Sequence, residues 1–112
     1  MANKDRRAEL LQGTLDLMVL RTLEALGPQH GYAIASRLAQ VSGGAIQLNM
    51  GTMYPALVRL ERRGFVRGRW DTTENNRRAR FYAITAAGRR GLQAEKAQWD
   101  RMAGFIARLL TE

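Results

Sequence analysis

The sequence predicts an α+β fold that is mostly α-helical, because three observations agree. Three stretches with helical spacing of apolar residues come first, within residues 11–26, 30–41 and 49–64. Two short strand-like runs around a polar turn follow within residues 65–84. A fourth amphipathic stretch occupies residues 85–110. The length of 112 residues fits one compact unit with a modest core.

The composition limits the class of protein and the kind of partner. A hydrophobic content of 46% and an aromatic content of 7% are typical of a globular chain. The chain has no cysteine, which excludes disulfides and thiolate metal sites. No apolar run approaches membrane-spanning length and the first residues lack the apolar core of a secretory signal, so a cytoplasmic location is expected. The net charge of +8 points to a polyanion: DNA, RNA or an anionic membrane.

The first two helices are predicted from their apolar stripes and from the helix-breaking residues that end them. Thr14 is a candidate N-cap for the first, with Asp16 near the positive end of its dipole. Gly27-Pro28 ends that helix, and His30-Gly31-Tyr32 opens the second. Ser42-Gly43-Gly44 breaks the second helix, and Ile46-Gln47-Leu48 is at most a three-residue extended piece.

The third helix, within residues 49–64, has an apolar inner stripe and a basic outer face. Gly51 or Thr52 is its expected N-cap, Pro55 is expected in its first turn, and Gly64 supplies the stop. Tyr54 flanks the outer face near the helix start. The inner stripe is formed by Met53, Ala56, Leu57 and Leu60, and the outer face by Pro55, Val58, Arg59 and Arg62.

The run that follows changes to strand-like spacing. Phe65, Val66 and Trp70 lie in the first strand, where Trp70 is expected to pack within the hairpin. The segment Thr72–Asn76 is a turn, because Asn tolerates left-handed backbone. The return strand Arg77–Ile84 and the adjoining tip carry three arginines: Arg77, Arg78 and Arg80.

Three helices followed by a basic two-stranded hairpin predict a winged helix-turn-helix, in which the third helix enters the DNA major groove. The hairpin then reaches the DNA backbone or the minor groove. Arg59 and Arg62 are expected to contact phosphates, and Tyr54 a phosphate or a base; a solvated basic face is the alternative. The candidate DNA contacts are Tyr32, Asn49, Thr52, Tyr54, Pro55, Arg59, Arg62, Arg77, Arg78 and Arg80.

The last helix is expected to begin after a Thr85 cap, with Gly88 permitting close packing. No later element is present to bury its apolar stripe, so a homodimer is expected. Facing copies of Trp99 can hold a flat aromatic effector by stacking, although an ordinary interface anchor is the alternative. The domains are then residues 1–85 for DNA binding and 86–112 for dimerisation. The expected interface residues are Leu92, Trp99, Met102, Phe105, Ile106 and Leu109.

No constellation of catalytic or metal-binding residues is found in the sequence. His30 is the only histidine and is expected to start a helix, because zinc requires three or four ligands. Asp16 and Glu61 are expected to be surface acids without a paired carboxylate. Ser36 and Ser42 lack a histidine or lysine partner. The expectation is a protein that is not an enzyme, without metal or other cofactor.

Several motifs, in order, resemble the PadR family of bacterial transcriptional regulators. They are Leu11-Gln12-Gly13-Thr14-Leu15-Asp16, Gly27-Pro28-Gln29-His30-Gly31-Tyr32, the segment from Gly51 to Gly64, Glu74 to Tyr82, and Ile84 to Gly88. The resemblance covers almost the whole chain; Met53 stands where the family commonly has leucine. It implies a homodimeric winged-helix repressor of the compact branch, often responsive to phenolic or other small aromatic compounds.

The expected partners are therefore double-stranded DNA with a pseudo-palindromic operator, a second copy of the chain and a small aromatic ligand, but no membrane. The alternative is a winged-helix module that binds protein or RNA without operator recognition. The absence of a sheet bearing paired exposed aromatics argues against RNA.

Overall fold

The computed structural model describes the backbone of residues 2–111 and the side chains of residues 13–111. It confirms the predicted α+β, mostly α-helical fold and its order of three helices, a hairpin and a terminal helix. The hairpin belongs to a three-stranded antiparallel sheet with strand order β1-β3-β2. The elements are α1 (Ala2–Leu26), β1 (Gln29–His30), α2 (Gly31–Val41), α3 (Met50–Arg62), β2 (Val66–Thr72), β3 (Arg78–Ile84) and α4 (Ala86–Thr111).

Helix α1 begins much earlier than predicted. Thr14 lies within the helix and is not its N-cap, because Gly13 inside a helix costs only about 1 kcal/mol and does not break it. Residues 4–11, a mostly polar segment compatible with a helical arm, form part of the first turns of α1. The side chains before Gly13 lie outside the described residues. The helix ends at Leu26, as predicted, and Gly27 follows with a φ of +79° that favours glycine.

Helix α3 also begins earlier than predicted, because Asn49 caps it in place of Gly51 or Thr52. The Asn49 Oδ1 accepts a hydrogen bond from the Thr52 N–H at 3.0 Å. With the helix beginning at Met50, Pro55 lies in the second turn and not in the first. Pro55 has no N–H to donate to the Gly51 carbonyl four residues earlier. Because Pro55 is exposed, water can reach that carbonyl.

The hairpin β2–β3 with its tip, Thr73–Arg77, is called the wing from here on. Its strands pair in register from Val66 opposite Ile84 to Thr72 opposite Arg78. Asn76 has the left-handed backbone expected of the turn, with a φ of 61°. The third strand is β1, which pairs Gln29 with Tyr82, whereas the predicted extended piece at residues 46–48 forms no strand.

The core surrounds the inner stripe of α3. Every member of the predicted stripe has no exposed surface, and side chains of α1, α2 and the sheet complete the cluster. Leu92 in α4 belongs to it with 3% exposure. Leu92 is therefore packed within its own chain, and its predicted place in a dimer interface is wrong. The stripe members are Met53, Ala56, Leu57 and Leu60.

The start of α4 is fixed to the domain and the rest of the helix projects from it. Thr85 caps the helix by accepting the Gly88 N–H at 3.0 Å, and its hydroxyl donates to the Gly64 carbonyl at 2.6 Å. A methyl group at Gly88 would overlap the Phe65 carbonyl, so glycine is required there. From residue 93 to 111 every side chain of α4 is exposed. None of the helices within residues 2–111 is long and apolar enough to cross a membrane.

Candidate nucleic-acid interface

The start of α3 and the start of α2 lie side by side on the surface. A Cβ atom at Gly31 would lie 2.5 Å from the Met50 thioether carbon, so the glycine permits this close approach. Tyr32 follows directly and is 71% exposed, and Tyr54 on α3 is 56% exposed. This region brings together five predicted contacts that are exposed, and the sixth, Arg62, is exposed in the last turn of α3: Tyr32, Asn49, Thr52, Tyr54, Pro55 and Arg62.

Arg59 does not belong to this exposed surface. Its guanidinium Nη2 lies 3.0 Å from the Asp16 carboxylate of α1, and the two side chains are 31% and 12% exposed. The predicted phosphate contact through Arg59 is therefore wrong, and Asp16 is neither a surface acid nor near the start of its helix. The Arg59 Nε is buried without a hydrogen-bond partner, so the side chain is committed to the α1–α3 contact.

Arg80 is also held within the chain. It donates to the Glu61 carboxylate at 2.7 Å, and the same carboxylate oxygen accepts the Gly68 N–H of edge strand β2 at 3.1 Å. The hydrogen bond to Glu61 raises the pKa of the Arg80 guanidinium above its usual value. Arg80 thus connects the wing to the last turn of α3, and its prediction as a DNA contact is wrong. Glu61 is not a free surface acid.

The tip of the wing remains available to a partner. Arg77 and Arg78 are exposed, as predicted, and the Arg78 guanidinium carbon lies 5.4 Å from the centroid of the Trp70 ring. Trp70 itself is 57% exposed. Its predicted packing within the hairpin is wrong, because the outer part of the wing extends beyond the helices that would cover it.

The projecting part of α4 presents a row of apolar side chains to solvent. Trp99 is 57% exposed, and it lines a shallow groove of about 310 Å³ with Leu17 of α1 and Met102. The exposed row consists of Trp99, Met102, Phe105, Ile106, Leu109 and Leu110. All but Leu110 are among the predicted interface residues, which the helical spacing of apolar residues identified.

Metal and catalytic chemistry receive no support from the described geometry. Within residues 13–111 no three side chains among His, Cys, Asp and Glu are grouped so that they could hold a metal ion. The His30 Nδ1 accepts the Ala33 N–H at 3.3 Å and caps α2, which is the helix-start role expected of it.

Comparisons with known proteins agree with the fold. The family model described as the transcriptional regulator PadR-like family matches residues 19–94. A PadR-family transcriptional regulator from Eggerthella lenta is 31% identical, with a TM-score of 0.77 over 97% of this chain and 92% of that one. A PadR-family regulator from Clostridium difficile is 26% identical, with a TM-score of 0.73 over 86% and 97% of the respective chains.

A curated relative is an uncharacterised 37.1 kDa protein in transposon TN4556 of Streptomyces fradiae. It is 41% identical over 90 residues, which are 80% of this chain and 24% of that protein. The chain therefore spans about a quarter of the length of this relative.

The fold and these similarities define a winged-helix transcriptional regulator, which confirms the expectation that the protein is not an enzyme. The chain belongs to the PadR-like family of transcriptional regulators. Met53, where leucine is common in the resemblance, lies in the core with no exposed surface.

The Asp16–Arg59 pair should contribute to stability. We expect Asp16→Asn to lower the free energy of unfolding by about 1–3 kcal/mol, because it leaves a partly buried guanidinium without a charged partner. Asp71→Asn is the matched control, since Asp71 is 54% exposed and lies 3.7 Å from the exposed Arg69. That control should change stability by less than about 0.5 kcal/mol. Urea unfolding followed by circular dichroism at fixed protein concentration measures both, and equal effects would contradict a structural role for Asp16.

Proposed function

We propose that this chain is a cytoplasmic homodimeric repressor that binds a pseudo-palindromic operator and is released from it by a small aromatic effector. The observation that carries the DNA-binding part is the exposed surface formed by the start of α3 and the tip of the wing. Polar and aromatic side chains of α3 are exposed, and so are Arg62, Arg77 and Arg78, which we propose face the same duplex. Such a surface matches the groove and the phosphates of a duplex.

The proposed contacts divide by chemistry. Thr52, Tyr54 and Pro55 lie near the start of α3 and are proposed to reach base edges or the nearest phosphate. Asn49 caps α3 through its oxygen, which leaves its amide N–H groups as donors. Arg62, with Arg77 and Arg78 of the wing, supplies charge to phosphates, and Tyr32 adds a hydroxyl donor from α2. Arg59 and Arg80 are not included, since their carboxylate partners hold them within the chain.

The proposed dimer rests on the apolar row of α4. A monomer would leave these side chains in water, whereas a two-fold axis along α4 would bury the same row on both copies. Two copies of α3 would then face half-sites about 34 Å apart on one side of the duplex. The proposed division of labour is residues 1–85 for DNA and residues 86–112 for dimerisation, with the start of α4 up to Leu92 packed on the first unit.

The proposed effector site is the groove beside Trp99. Its indole offers a large apolar ring for stacking, and Leu17 of α1 forms part of the same groove. A ligand bound there would weaken operator binding only if it prefers a dimer geometry in which the two copies of α3 no longer match the half-sites. This preference for one dimer geometry is what would release the protein from its operator.

Operator binding is tested first by a gel shift with the DNA upstream of the coding region of this protein, with single-stranded RNA as competitor. We expect duplex DNA to bind and RNA to compete poorly. In a salt series, replacing Arg77 and Arg78 by Ala should flatten the slope of log affinity against log salt by about 3.6 for the dimer, because each of the four lost phosphate contacts removes about 0.9. Fluorescence anisotropy of a labelled duplex measures the slope.

The matched control removes the same charge from another surface. Arg21 and Arg37 line a separate groove between α1 and α2, so their replacement by Ala should leave the slope unchanged. An unchanged slope in the folded Arg77 and Arg78 double variant would exclude the wing arginines from binding. Efficient displacement by RNA would favour the alternative RNA-binding class.

The dimer is tested by charge substitutions on α4. We expect Met102→Asp with Ile106→Asp to give monomers and to weaken operator binding, because the substitutions place carboxylates in the apolar row. Ala97→Asp with Gly104→Asp is the matched control, since helical spacing places these residues on the opposite side of α4 from Trp99. Sedimentation velocity measures the oligomeric state. A wild-type monomer at micromolar concentration would rule out the dimer.

The effector is tested by tryptophan emission with a panel of planar aromatic compounds. We expect a ligand that stacks on Trp99 to quench wild-type emission and to lower operator affinity, and Trp99→Leu to abolish both effects. Trp70 also emits, so the emission of the Trp99→Leu variant supplies the background to subtract. If no compound quenches Trp99 or changes operator affinity, the groove is a packed interface and the effector proposal is wrong.

A further inference from the structure

Trp70 is a large apolar side chain that the fold leaves uncovered. It lies in β2 opposite Arg80 of β3 and keeps 57% of its surface exposed. The guanidinium carbon of Arg78 lies over the ring, 5.4 Å from its centroid. Neither its partner across β3 nor the residue before it on the same face of β2 covers it. Arg80 is drawn away to Glu61, and Gly68 has no side chain.

The face on which Trp70 lies is determined by strand alternation. Even-numbered residues of β2 and β3 share one face of the wing, because successive side chains point to opposite sides. At the base of this face Val66 and Tyr82 are buried in the core, which includes the inner stripe of α3. Further out, Glu61 of the last turn of α3 bonds both Gly68 and Arg80. Trp70 is therefore on the side of the wing that turns toward α3.

The charges around Trp70 favour a polyanionic partner. On the same face Arg78 lies over the ring, and Arg77 is exposed at the adjoining tip. Arg80 is neutralised by Glu61. The Asp71 carboxylate belongs to the opposite face of β2, where it lies 3.7 Å from Arg69. Glu74 at the tip is the remaining exposed acid of the wing. The net charge beside the ring is positive, which favours an anionic partner, and the phosphates of a duplex are the partner already proposed for this surface.

We propose that Trp70 is a DNA contact of the wing, with its indole ring against the deoxyribose of a backbone strand and its N–H donating to a phosphate oxygen. An indole has both an apolar ring and one N–H donor, which suits the alternating apolar and charged surface of the sugar–phosphate backbone. Arg78 covers one face of the ring and brings its charge to a neighbouring phosphate. This inference rests on the proposed duplex binding and adds an uncharged contact to it.

A purely structural role for Trp70 makes a different prediction. If the ring only positions Arg78, then removing Trp70 should reproduce the loss of the Arg78 charge, including a flatter salt dependence. If the ring itself touches DNA, affinity falls at every salt concentration while the slope is unchanged, because no phosphate charge contact is lost. The two roles can therefore be separated by a salt series and a double-mutant cycle.

The experiment uses the full chain and a fluorescein-labelled mixed-sequence duplex long enough for two half-sites, titrated by anisotropy across a KCl series. Trp70→Thr keeps the strand preference of the position, and Trp70→Phe keeps the ring but removes the N–H donor. We expect Trp70→Thr to weaken binding roughly fivefold at each salt concentration, and Trp70→Phe by a smaller factor. Val41→Ala, which shortens a 70% exposed apolar side chain of α2, is the matched control and should have no effect.

The cycle adds Trp70→Thr to Arg78→Ala. We expect a further loss of about threefold to fivefold in the double variant, whereas Arg78→Ala alone should flatten the salt slope by about 1.8 for the dimer. No further loss in the double variant would overturn the proposal and assign Trp70 to the positioning of Arg78. Circular dichroism and thermal unfolding of each variant establish that the wing variants are folded.

A direct readout comes from protein labelled with 5-fluorotryptophan, whose two ¹⁹F resonances are assigned with Trp70→Phe. We expect the Trp70 resonance to shift when duplex is added, at the same concentrations that raise the anisotropy. An unmoved Trp70 resonance with saturated duplex would overturn the proposal. Failure of the wild-type chain to bind any duplex would instead contradict the proposed function, so the two failures are distinguishable.

Discussion

The burial of the inner stripe of α3 is the constraint on which the rest of this molecule depends. Met53, Leu57 and Leu60 have no exposed surface, and burying each large apolar side chain contributes about 1.5–3 kcal/mol. A rotation of α3 by one residue would bring part of this stripe into water. The rotation of the helix about its axis is therefore fixed, and with it the set of side chains that α3 presents to solvent, including Thr52 and Arg62.

Two ion pairs then determine which arginines belong to the fold and which to the surface. The Asp16 carboxylate draws Arg59 against α1, and the Glu61 carboxylate draws Arg80 across Gly68 of the wing. Each pair connects α3 to one neighbouring element, so α3 is held on both sides. Arg77 and Arg78 have no such partner among the described side chains, and their charge is available to a polyanion.

Helix α4 has a packed first part and an exposed second part. Its first turns are fixed by Thr85, Gly88 and Leu92, while every side chain from residue 93 to 111 is exposed. A groove next to Trp99 is shared with Leu17 of α1, and the neighbouring Asp16 holds α3 through Arg59. A contiguous set of contacts therefore connects the proposed effector groove to α3. Coupling through it requires a second arrangement of the dimer that a ligand prefers.

Local sequence determined the helices, the wing and the exposed row of α4, because apolar spacing, turn residues and breakers act within a few positions. Leu57 on the inner stripe, Asn76 in the turn and Gly27 after α1 are examples. Only the tertiary structure showed that Arg59 and Arg80 are ion-paired within the chain, since their partners lie 43 and 19 residues away in the sequence. It also decided that Leu92 is buried and that Trp70 is not, because burial depends on which elements reach a position. The two-residue strand β1 is too short for apolar periodicity to predict. Its pairing with β3 is seen only in the folded chain.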